Sequence, residues 1–77
     1  MHKTYLFKKV FFDQYFDKSG KRIKVKGFIM SGELIDFVTQ KTEEGLQIVG
    51  VVLTKDREIF YVPTIALTLI EDKIVVN

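Results

Sequence analysis

The order of apolar and polar positions along this chain reads as a series of short strands. The last twenty residues show the cadence best. Residues 58–62 form a strand, Pro63 breaks it, and Thr64-Ile65-Ala66 suits a single 3-10 turn. Residues 67–70 and 73–76 are then closing strands on either side of the acidic pair Glu71-Asp72. Proline has no N–H for a ladder hydrogen bond, so Pro63 should end the strand that carries it. Upstream, residues 46–54 are almost continuously apolar, the mark of a strand covered on both faces. Lys55-Asp56-Arg57 reads as a tight turn between these two strands, and the polar residues 40–45, ending in glycine, read as a hairpin loop.

The first half is less regular. Tyr5, Phe7 and Phe11 alternate as a strand would, whereas Phe7, Phe11 and Tyr15 fit helical spacing; β-branched and aromatic content favours the strand. Asp17-Lys18-Ser19-Gly20 is a turn, with Gly20 free to adopt positive φ. Residues 21–30 read as a strand with Ile23 and Val25 on one face and Arg22, Lys24 and Lys26 on the other. Gly27 or Gly32 would mark a bulge or bend. Leu34, Ile35, Phe37 and Val38 either continue that strand or form the next one after a Ser31-Gly32 turn. Turns every eight to twelve residues predict an all-β fold, a small SH3-like barrel of five to seven strands.

Length sets the scale. Seventy-seven residues make one domain, residues 1–77, with a narrow margin of stability. The chain has no cysteine, so disulfides and thiolate metal sites are excluded, and core packing or self-association must supply stability. Lack of cysteine fits a reducing compartment, and a cytoplasmic location is the expectation. The longest apolar run, residues 48–53, is far shorter than the roughly twenty residues that span a bilayer, and Lys8 and Lys9 interrupt any leader-like segment.

Net charge is +2, but it is unevenly placed. Residues 1–26 hold eight Lys/Arg against Asp13 and Asp17; residues 27–77 hold four against eight acids. That polarity fits either a basic surface for an anionic partner or two halves that complement each other.

Residues 17–77 resemble a PRC-barrel domain. The resemblance is carried by Asp17-Lys18-Ser19-Gly20-Lys21-Arg22-Ile23, by the apolar strand from Gly45 through Leu53, by Phe60-Tyr61-Val62-Pro63, and by Asp72-Lys73-Ile74-Val75-Val76. Between Val25 and Leu34 the chain departs from the family pattern, which has a shorter passage between strands. Sm-like barrels are similar in Gly20-Lys21-Arg22-Ile23-Lys24-Val25 followed by Gly32-Glu33-Leu34-Ile35-Asp36-Phe37, although their RNA-binding loop motifs are missing. PRC-barrel members include a domain of a ribosome-maturation factor and one of a photosynthetic reaction-centre subunit. The resemblance implies an SH3-like docking module for protein or RNA, with no cofactor and no catalytic role.

Three readings of function follow from the residues. Arg22, Lys24 and Lys26, extended by Lys8, Lys9 and Lys21, form a candidate nucleic-acid face, since cations meet phosphates and the nearby rings could stack on bases. Six of the ten aromatics lie in the first sixteen residues; the plain alternative is that they fill the barrel and the lysines are solvated. The second reading is an interface. Strands apolar on both faces would leave Val49, Val51 and Phe60 outside a single small barrel, exposed to a protein partner or a second copy. Catalysis is the third and weakest. His2, the one histidine, sits at the terminus, and the acids Glu33/Asp36, Glu43/Glu44 and Glu71/Asp72 sit in or beside turns, where carboxylates are comfortable. No catalytic or metal-binding residue is assigned.

Overall fold

The computed structural model of the chain describes residues 7–69. Lys3, Tyr5 and the strand expected over residues 73–76 lie outside the described residues. Seven strands are present: β1 (Lys8–Phe12), β2 (Gln14–Phe16), β3 (Arg22–Lys24), β4 (Met30–Thr42), β5 (Gly45–Leu53), β6 (Ile59–Pro63) and β7 (Thr68–Leu69). They form one antiparallel sheet in the order β3-β2-β6-β5-β4-β1-β7. The all-β class is as the pattern predicts. The ring is not closed, however: among the described residues β3 and β7 end the sheet without pairing to each other. An open, strongly curled sheet replaces the closed barrel.

The second half follows the sequence closely. The apolar run becomes β5, pairing with β4 through Thr42↔Gly45 to Glu33↔Leu53 and with β6 through Val49↔Pro63 to Leu53↔Ile59. Pro63 is the last residue of β6, and Thr64–Ala66 is the 3-10 turn. The polar loop expected over residues 40–45 shrinks to a tight turn at Glu43-Glu44, because Thr42 Oγ1 donates to the Gly45 carbonyl and accepts from the Glu44 N–H. Two long strands joined this tightly make a hairpin arm.

The first half departs more. The strand expected over residues 21–30 is only three residues long, and residues 25–29 form a loop into β4. β4 runs straight through Ser31-Gly32, so no turn lies there. Gly32 is instead a point of close approach: a Cβ would sit 2.7 Å from the Leu53 carbonyl oxygen and 2.7 Å from Val52 Cγ1. The bulge falls three residues later, where Leu34 faces Val52 and Asp36 faces Val51, leaving Ile35 as the extra residue. A bulge bends its strand and raises the local twist.

That curl sets the core. Val10, Phe12, Leu34, Val52 and Val62 form the main cluster, with Phe37, Phe60 and Leu67 packed against it. Val49 and Val51 point to the opposite side of β5, where Phe16 and Pro63 are also buried. The tip of the β4–β5 arm meets the β2–β3 turn. The Glu43 N–H donates to the Gly20 carbonyl, and a Cβ on Gly20 would stand 3.0 Å from Thr42 Cα. Gly20, at φ +85°, takes the left-handed conformation the turn requires. Both sides of β5 are therefore covered by the chain itself over residues 49–52, while Leu46 and Ile48 nearer the tip stay exposed.

Candidate functional site

The residues expected at an interface are inside. Val49 is fully buried and Val51 retains only 8% of its surface. Phe60 is half-buried, with its ring 5.6 Å from Phe12 and edge-on to Tyr15 at 4.8 Å. The expectation placed them outside because one small barrel has only one interior. The curled sheet has two buried sides, and the second takes Val49 and Val51.

The basic residues are dispersed. Arg22 is occupied: its Nε and Nη2 donate to the two Glu44 carboxylate oxygens at 2.8 and 2.6 Å. Its Nη1 donates to Gln14 Oε1 at 2.7 Å, and the guanidinium stands 5.2 Å above the Phe16 ring. This bond to Arg22 is the main reason the Glu44 carboxyl lies below its ordinary pKa, and the same bond raises the guanidinium. Such a clamp ties the basic half of the chain to the acidic half within the fold. Lys24 shares the strand with Arg22, exposed, while Lys26 lies in the loop beyond it. Lys21 is exposed at the turn, where its backbone N–H donates to Asp17 Oδ1. The Asp17 carboxyl lies below its ordinary pKa chiefly because the Ser19 hydroxyl and the Lys21 N–H donate to it. Lys8 and Lys9 are on β1, at the other end of the sheet order from β3. Lys9 stands opposite Glu33 in the β1–β4 register. Lysines on a short edge strand such as β3 also have a structural use, since they discourage pairing with another chain.

A different surface carries four of the ten exposed large apolar side chains among the described residues. Phe12 and Val10 point into the core, so the alternate residues of β1 point out, and Phe11 is exposed there opposite Ser31. Phe28 and Ile29, in the β3–β4 loop, are 64% and 65% exposed. Phe7, just before β1, is also exposed. Three shallow depressions join these residues into one surface. Phe11 and Ile29 line one with Ala66 and Thr68. Ile29 and Phe28 line the next with Thr54 and Lys55. Thr54 and Lys55 pass into the third, with Phe7, Lys9 and Glu33. Three of the seven phenylalanines thus lie outside the core on a single face.

The charges around that face are of both signs. Lys9 and Lys55 share the depressions with Glu33, Asp56, Glu58 and Asp13. The exposed rings therefore sit among two cations and four acids.

A fourth open depression is lined by Phe16, Asp17, Asp36, Val38, Val51 and Tyr61. Its carboxylates already accept local hydrogen bonds: Asp17 from Ser19 and Lys21, Asp36 from the Phe37 N–H. A third apolar group, Leu46, Ile48 and Ile65, is exposed along the arm and on the 3-10 turn. Sequence reasoning missed Phe28 and Ile29 because it placed them in a strand. The signal was there: two large apolar residues in direct succession after Lys-Gly, the point where the chain departs from the PRC-barrel pattern.

No helix among the described residues is long and apolar enough to cross a membrane. No protein-family model, curated protein or solved structure matches this chain.

Proposed function

We propose that the chain is a non-catalytic docking module whose working surface is the outer face formed by Phe7, Phe11, Phe28 and Ile29. The observation that carries this is the continuity of that face: four large apolar side chains, linked through shared depressions, uncovered by the described fold. Their exposed surface is on the order of 400 Å². Contiguous patches of this size are often functional. The resemblance to PRC-barrel domains supports the same role, at the level of analogy between folds.

A nucleic-acid surface needs rings and cations together. Here Lys24 and Lys26 precede Phe28 closely in sequence, but Arg22 is held by Glu44 and the ring-bearing face is rimmed by acids. Protein docking is the better reading.

Site-specific photocrosslinking tests it. A photoreactive phenylalanine at position 28 should give a discrete adduct with protein, while the same group at Lys18 should give none. Adducts with nucleic acid at position 28, or none at all, would sink the proposal.

A further inference from the structure

Resting on that docking role, we propose that the occupant of the Phe7–Phe11–Phe28–Ile29 face is a second copy of this chain, related by a two-fold axis. The rim points to this. An isologous interface sets a surface against itself, so every residue near the axis meets its own neighbourhood. A rim of one sign would repel its copy. This rim carries both signs, two lysines and four acids: Lys9 stands opposite Glu33 in register, and Lys55 lies beside Asp56 and Glu58 in one turn. Across a two-fold axis each lysine can reach an acid of the partner, which fixes orientation and rejects other partners. A polyanion would meet those acids unfavourably.

Size and stability point the same way. An ordinary interface buries about 800 Å² on each side. The apolar centre supplies roughly half of that, and the charged rim supplies the remainder. The main buried cluster has only five residues, and the chain has no disulfide to reinforce it. Covering four exposed side chains gives so small a domain the extra burial that its own core lacks.

The test is the mass of the full chain by light scattering from low micromolar to near-millimolar concentration. Phe28→Glu, Phe28→Ser and, as a control on the other apolar group, Ile48→Glu are measured alongside, each checked for a cooperative melt. The wild type should reach the mass of two chains. Both position-28 variants should remain folded with the mass of one chain at tenfold or higher concentration, and Ile48→Glu should dimerise as the wild type does. A wild type that stays at one chain throughout overturns self-association. A position-28 adduct with a different protein would then leave the docking role standing, and no adduct would remove both. A dimer that survives Phe28→Glu but is lost in Ile48→Glu overturns the assignment of the face.

Discussion

Strand β5 carries Val49 and Val52 with no exposed surface, whereas Phe28 and Ile29 of the β3–β4 loop keep nearly two-thirds of theirs. Both segments are apolar, and the difference lies in their neighbours. β5 is central, paired on both edges by β4 and β6, and the curl of the sheet brings other parts of the chain over both of its sides. β1 lies near one end of the sheet order, the β3–β4 loop crosses from the β3 edge to β4, and no described element folds over the outer face of β1 or over Phe28 and Ile29. An apolar run in a central strand is a demand that the chain meets itself. The apolar run at the periphery is a demand that the described residues leave unmet.

The largest effect should come from breaking the covered region. Val49→Asp places a carboxylate where no water reaches, and should cost several kcal/mol, enough to unfold a marginal domain. Urea denaturation would show this as a lost transition, while Phe28→Ser should leave the midpoint nearly unchanged. A midpoint for Phe28→Ser lowered as far as that for Val49→Asp would erase the distinction between the regions.

Next is Gly32→Ala. The added methyl meets a backbone carbonyl that cannot easily move, so we expect destabilisation of about 1–3 kcal/mol by the same measurement. Gly20→Ala should be comparable or smaller, about 1–2 kcal/mol, since it combines positive φ with contact against Thr42. Wild-type stability in either variant would show that the sheet is less tightly curled at that point.

The smallest effect concerns the clamp between the β2–β3 turn and the arm. Glu44 has its pKa depressed in the folded protein by the Arg22 bond, and Asp17 by Ser19 and Lys21. A depressed carboxylate stabilises the fold above its unfolded pKa, near 4, and that contribution is lost as pH falls through the lower folded value. The Tm gap between wild type and Glu44→Gln should therefore be constant at neutral pH and narrow below about pH 4. A gap that stays constant into acid would mean the carboxylate is not the linked group. Exposure keeps the gap small.

Much of the fold could be read from the chain because the relevant signals are local. Pro63 ends β6, the residues after it form the 3-10 turn, and Asp17 with Gly20 makes the β2–β3 turn. The continuous apolar run marked the covered part of β5, residues 49–52, but also took in Leu46 and Ile48, which are exposed. The first half was harder, since alternation in residues 21–26 looked like a long strand, whereas β3 ends at Lys24. The exposure expected of Val49 and Val51 is not found, for a related reason. Val49 and Val51 have no polar neighbours, and their burial depends on an arm that curls through the Ile35 bulge to meet Gly20, a long-range closure that pattern does not encode. Which lysines were free was equally hidden, because Arg22 finds Glu44 across twenty-two positions.

Because the chain lacks cysteine, single cysteines can report each region separately. The deciding measurement is the rate of maleimide labelling of Phe28→Cys and Val49→Cys in native buffer, at low and high concentrations of unlabelled wild type. Position 28 should react as fast as an unfolded reference when dilute and be protected by added wild type, while position 49 should be protected in both. Slow labelling at position 28 in dilute protein, or fast labelling at position 49, would contradict the division between a covered core and an open docking face.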